Sequence, residues 1–158
     1  MQEKTLFLSR SYSISSRIQD YVLLTKFRLS GLVVFSAVMG YLIATGVNFS
    51  WSSLFLLSLG GFLVTGSSNA FNQIIERDTD KLMDRTADRP LPAGRMSVRE
   101  AILAAFIMGI GGIYILWIGL NPLCGILSFF SLLLYTLVYT PAKKITTFSV
   151  LIGAIPGA

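Results

Sequence analysis

The chain has 158 residues and 17.3 kDa, a net charge of +5 and a mean hydropathy of +0.68, with 53% hydrophobic and only 13% charged residues. Soluble domains carry about 25% charged residues, so this chain lacks the charge to clothe a water-facing surface. That argues against a cytosolic enzyme, a disordered tail or a disulfide scaffold, the last also opposed by the single Cys124, and for an integral membrane protein.

In chain order, residues 1–28 form a cytoplasmic N-terminal segment. Its stretch 9–21 is Ser-rich, holds Arg10 and Arg17, and has no apolar run long enough for a signal-peptide core. An interfacial amphipathic segment is the preferred reading over a mitochondrial transit peptide. Residues 29–75 then run for 47 positions without Asp, Glu, Lys or Arg, and residues 101–142 for 42 more. One crossing needs about 20 mainly apolar residues, so each run holds two spans. The breaks fall at Thr45-Gly46-Val47-Asn48-Phe49-Ser50 and at Asn121-Pro122. Helices are predicted over 30–44, 52–72, 98–119 and 123–140. A fifth, from about 146, has an uncharged run that would rise only about 21 Å, short of the roughly 30 Å hydrocarbon core. The expectation is a piece of a longer protein, inactive alone.

The 13 Lys and Arg sit in three places: before the first span, between the second and third, and at Lys143 and Lys144. The two short turns on the other side have none, which predicts that all three basic regions face the cytoplasm. The positive charge is thereby topological, and no nucleic-acid partner is implied.

Six of the eight acids lie between Glu76 and Glu100, in a loop spanning about 73–97. If the second helix continues out of the membrane, Asn72, Glu76 and Asp80 fall at i, i+4 and i+8 on one face. Asp84 and Asp88 would prolong that stripe, and Arg77, Lys81, Arg85 and Arg89 a neighbouring basic one, until Pro90 and Pro92 end the helix near Asp88. Like charges at this spacing oppose a helix by a few tenths of a kcal/mol per pair. A hard divalent cation such as Mg²⁺ would neutralise them, taking one or two carboxylates, waters and substrate phosphates. The basic residues can hold diphosphate oxygens. The same spacing also suits a merely solvated juxtamembrane helix. Ser97-Val98-Arg99-Glu100 has the form of a capping box opening the third span.

Asn72 to Ser97, together with Tyr139-Thr140-Pro141-Ala142-Lys143-Lys144, Ile152-Gly153-Ala154-Ile155-Pro156-Gly157-Ala158 and Tyr21 to Arg28, resembles the intramembrane aromatic prenyltransferases of the UbiA superfamily, in particular its haem-modifying branch. The resemblance runs from about residue 18 onward. It implies an all-α polytopic transmembrane bundle of about nine spans, with residues 29–158 as its N-terminal half, four spans and part of a fifth. It implies two acid-rich motifs binding an isoprenoid diphosphate through Mg²⁺, the first being Asn72, Glu76 and Asp80, with Asp84 a further metal candidate and Arg77, Lys81, Arg85, Lys26 and Lys143 candidate diphosphate contacts. Gln73 departs from the family's second-position acid, Glu76 from its usual Asp, and Phe27 stands where a Pro is common.

The implied reaction joins a farnesyl group from farnesyl diphosphate to a vinyl group of haem b in a bacterial inner membrane, with a mitochondrial one the lesser alternative. A haem A synthase or oxidase assembly protein is a conceivable partner that the sequence itself does not show. A 4-hydroxybenzoate polyprenyltransferase shares the Arg85–Gly94 pattern, but Asn72-Gln73 and Met83 favour haem. Half of a repeat-built transporter would carry ionisable residues within its spans, and these have none. The absence of histidine disfavours a haem electron carrier.

Overall fold

The computed structural model describes residues 14–143, together with Ser149 and Gly153. The predicted fifth helix, Lys144 and the start of the N-terminal segment lie outside the described residues. Within them the order is α1 (Ile14–Leu24), α2 (Phe27–Thr45) with a short 3-10 turn (Gly46–Asn48), α3 (Trp51–Asp80), α4 (Asp84–Ala87), α5 (Val98–Gly119), α6 (Pro122–Leu133), a π-helical stretch (Leu134–Tyr139) and α7 (Thr140–Ala142). Among the described residues four segments are long and apolar enough to cross a membrane: Phe27–Asn48, Trp51–Asp80, Val98–Gly119 and Pro122–Ala142. This is the all-α membrane bundle that the resemblance implies.

Each span begins where local chemistry permits. Ser50 caps α3 by accepting from the Ser53 N–H (3.4 Å), and Asn121 caps α6 by accepting from the Cys124 N–H (2.9 Å), with Pro122 in the first turn. Ser97 accepts from the Glu100 N–H (3.1 Å), which is the forward half of the predicted capping box. The Glu100 carboxylate is drawn elsewhere: its Oε1 accepts from Arg17 (3.0 Å) and from the Tyr21 hydroxyl (2.9 Å), tying α1 to the start of α5. Removing the cap with Ser97→Ala should cost about 1 kcal/mol, read as a lowered unfolding midpoint in detergent.

The helix bearing the acid stripe ends at Asp80, not near Asp88. Leu82 and Met83 make turn bonds back to Thr79 (3.1 Å) and Asp80 (3.4 Å), and the Thr86 hydroxyl donates to the Asp80 carbonyl (2.9 Å). The loop therefore folds back over the helix end, which separates Asp84 and Asp88 from the carboxylates they would repel in a continuous helix.

The helices pack through small residues, as apolar lipid gives no hydrophobic drive between spans. Ala101, Ala105, Gly109, Gly112 and Leu116 form the buried stripe of α5. It meets α3 closely enough that a Cβ on Gly112 would lie 2.9 Å from the Gly60 carbonyl oxygen. The Ser67 hydroxyl donates to the Ala105 carbonyl (2.7 Å) across the same seam. At the loop end a compact core of Leu24, Ala70, Leu91, Met96, Ala101 and Ala105 joins α1, α3, the loop and α5. That core fixes the charged loop over the end of α3. At the opposite end Phe49 meets Trp51 edge-on and Tyr41 at a tilt, where an interfacial aromatic belt belongs.

Candidate active site

The α3 face predicted from spacing is present and buried: Asn72, Glu76 and Asp80 are 2%, 6% and 5% exposed. Carboxylates at that depth need partners, and they have them. Glu76 accepts from Lys143 (Oε1–Nζ 2.6 Å) and from the Asn72 amide (3.0 Å). The Thr140 hydroxyl lies 3.2 Å from the Asn72 Oδ1 and 2.9 Å from the Tyr135 carbonyl, its one proton shared between them. Asp80 accepts from Arg89 at 2.6 Å. Arg89 reaches it only because the chain folds back after α3.

Lys26 enters from the α1–α2 elbow. Its amine is held below the ordinary lysine range by burial first, then by the positive charges of Arg89 and Lys143, while Glu76 and Asp80 act in the opposite sense. Two carboxylates and three cations thus share one mouth at the end of the bundle. The unfolded chain holds the Lys26 proton more tightly than the folded one. Below the lowered value the folded state carries the full penalty, which fades as pH rises from there towards the ordinary range. Lys26→Met should therefore raise the thermal midpoint at neutral pH, by an amount that shrinks in alkaline buffer, and weaken anion binding.

A cavity of about 1120 Å³ opens beside the cluster, between α1 and the loop, lined by Lys26, Arg28, Arg85, Arg89 and Arg95 with Asp20 among others. Arg95 braces its wall by donating to Asp20 (2.9 Å) and to the Asp88 carbonyl (2.7 Å). An apolar groove of about 640 Å³ runs between α3, α5 and α6, bordered by Phe71, Phe106, Tyr114, Phe129 and Leu133. Phe71 adjoins Asn72, and Thr136, also on the groove, lies one turn before Thr140.

The structure thus brings Asn72, Glu76, Asp80, Lys143 and Lys26 together and sets Arg85 on the adjoining cavity. Arg77 and Lys81 instead pair with exposed Asp78, at 3.5 and 3.7 Å. Asp84 is exposed in α4, outside the carboxylate pair. Among the described residues no three His, Cys, Asp or Glu side chains converge. Two carboxylates one helical turn apart, with an amide beside them, nevertheless supply the hard oxygen donors that Mg²⁺ takes when substrate phosphates complete its shell. The donor set fits.

Arg89, Thr140 and the real role of Gln73 escape sequence reasoning. Only the Pro90 and Pro92 breakers hinted at a reversal that returns Arg89 to Asp80. Gln73 does not join the acids: its Nε2 donates to the Leu23 and Leu24 carbonyls at 2.9 and 2.8 Å.

The second long apolar helix of the bundle thus ends in a buried Asn-x-x-x-Glu-x-x-x-Asp face met by the cations Arg89 and Lys143, with Lys26 close by. The chain belongs to the UbiA prenyltransferase family, whose model matches residues 33–158. It is 48% identical over 147 residues to a protoheme IX farnesyltransferase of Cytophaga hutchinsonii, covering 92% of this chain and 51% of the relative. It is 45% identical over 150 residues to the enzyme of the same name from Flavobacterium johnsoniae (92% and 49%), and 39% identical over 153 residues to that of Opitutus terrae (96% and 51%). The chain spans about half the length of these curated relatives. No solved structure matches it.

Proposed function

We propose that this chain carries the first diphosphate-binding motif of a prenyltransferase that joins the farnesyl group of farnesyl diphosphate to a vinyl group of haem b, with addition of water, to give haem O and diphosphate. The observation that carries the reading is the buried cluster of Asn72, Glu76 and Asp80 met by Lys26, Arg89 and Lys143. The relatives' name, protoheme IX farnesyltransferase, supports the farnesyl donor and the haem acceptor.

The difficult step is heterolysis of the allylic carbon–oxygen bond, in which the electron pair leaves with the diphosphate. Mg²⁺, held by Glu76 and Asp80 with Asn72 beside them, would neutralise charge on that leaving group. The ion pairs Lys143–Glu76 and Arg89–Asp80 keep each cation poised at the mouth. When the head group enters, the ammonium of Lys143 and the guanidinium of Arg89 turn from carboxylate to phosphate oxygens, and Lys26 adds a third positive charge. Thr140 holds the Asn72 amide in place. The apolar groove beginning at Phe71 offers the isoprenoid chain a path away from the charges. The vinyl π electrons then form the new carbon–carbon bond with the allylic carbon, and water adds to the resulting cation with loss of a proton. Restricting water around the groove lets the vinyl group capture the farnesyl cation first.

Residues 1–28 and the loop about 73–97 face the cytoplasm in this reading, with the bundle in a bacterial inner membrane. Assaying the full-length protein with farnesyl diphosphate against haem b and 4-hydroxybenzoate side by side tests it. Haem O formation is expected, and turnover of 4-hydroxybenzoate alone would transfer the chain to the benzoate branch of the family.

A further inference from the structure

Among the described residues Lys26 is the one non-glycine residue with positive φ, at 48°. A left-handed lysine is strained, since its Cβ crowds the backbone, and such strain persists only where the surroundings hold it. What holds it lies on α3. The Asn69 Nδ2 donates to the Thr25 carbonyl (3.3 Å) and to the Ser30 hydroxyl (3.1 Å), and the Ser30 hydroxyl in turn donates to the Thr25 carbonyl (2.8 Å). One turn further on, the Gln73 Nε2 donates to the Leu23 and Leu24 carbonyls. The Leu23 carbonyl also accepts from the Lys26 N–H (3.2 Å), so the amides reinforce the turn that ends α1. Both amides are fully buried, Asn69 at 2% and Gln73 at 0% exposure.

We propose that Asn69 and Gln73 are positioning residues that clasp the α1–α2 elbow and thereby fix the Lys26 ammonium at the Glu76–Asp80 mouth, where it meets the substrate's diphosphate. The inference rests on the diphosphate-site reading above. Two unfavourable features find their reason in it. A glycine at 26 would remove the backbone strain but also the amine. A leucine at 73 would avoid the buried Gln73 Oε1, which has no hydrogen-bond partner among the described residues, but would leave the elbow unclasped. A carboxylate at 73 would set acceptor against acceptor at Leu23 and Leu24. In this chain the position works through its donors.

The test uses the full-length protein in lipid nanodiscs, with inorganic diphosphate and Mg²⁺ as the probe, followed by calorimetry. Lys26→Met should weaken binding about tenfold, the size of one lost charge-assisted contact. Gln73→Leu and the isosteric Gln73→Glu should do the same, and the Lys26→Met/Gln73→Leu double variant should bind no more weakly than Lys26→Met alone. The KM for farnesyl diphosphate should rise in step while that for the acceptor stays put. Wild-type affinity in Gln73→Leu, or fold-losses that multiply in the double variant, would overturn the clasp. Failure of Gln73→Leu, Gln73→Glu and Asn69→Leu alike to yield monodisperse protein would overturn it too, by making these amides folding elements. The underlying reading fails separately, through a fully active Asp80→Asn.

Discussion

Asp80→Asn in the full-length protein is expected to lower prenyl transfer by about 10²–10³-fold, the range for deleting one preorganised charge-stabilising group, while leaving membrane insertion unchanged. The substitution is nearly isosteric, and its amide oxygen can still accept from Arg89, which donates to Asp80 at 2.6 Å. What disappears is one of two negative charges on the α3 face, and with it the donor strength a hard cation requires. Arg89 then keeps its full charge beside a neutral partner, so inorganic diphosphate without Mg²⁺ should bind no worse than in the wild type. Initial rates with farnesyl diphosphate and haem b, alongside the protein recovered in washed membranes, check both halves. Unchanged turnover would remove Asp80 from the metal site.

The second large effect concerns packing. Gly112→Ala should destabilise the bundle by about 1–3 kcal/mol, as overpacking of a tight core does. The adjacent Gly111→Ala should be neutral or stabilising by up to about 1 kcal/mol through helix propensity. The chemistry of the two changes is the same and only their surroundings differ. A Cβ at Gly112 meets the Gly60 carbonyl oxygen, the Leu63 Cβ and the Val64 Cγ2, all at 2.9 Å, whereas a Cβ at Gly111 meets nothing within 4 Å among the described residues. Backbone and Cβ atoms cannot step aside as a flexible side-chain tip can, so α3 and α5 must separate. Thermal unfolding of the two variants in one detergent should show a lowered midpoint for Gly112→Ala and an unchanged or raised one for Gly111→Ala, and equal shifts would refute the close seam.

The spans were legible because charge-free runs are a strong one-dimensional signal. The cap at Ser97 and the break at Asn121-Pro122 were legible too, because their chemistry is local. The shared face of Asn72, Glu76 and Asp80 followed from the helical period alone. The limits are equally physical. The end of α3 at Asp80 depends on a Thr86 hydroxyl and an Arg89 guanidinium returning from downstream, and periodicity carries no trace of them. The clasp joins Gln73 to residues some 50 positions earlier through an elbow formed at a lysine, where a glycine would have announced the turn. Arg77 and Lys81, plausible phosphate ligands by sequence, pair with Asp78 instead because each sits one residue past the buried face.

The π-helical stretch Leu134–Tyr139 gives the last span a hidden offset. Widening one turn from i→i+4 to i→i+5 inserts a residue into the winding, and each residue of a helix is worth about 100° of rotation. Thr140 and Lys143 meet Asn72 and Glu76 in the azimuth set by that insertion, not in the one that a regular helix continued from Pro122 would give them. The contribution of this span is therefore written in phase as much as in side chains. Straightening residues 134–139 into a regular helix at full length would turn Thr140 and Lys143 away from their partners, whereas deleting one residue there would remove the offset and keep both in phase.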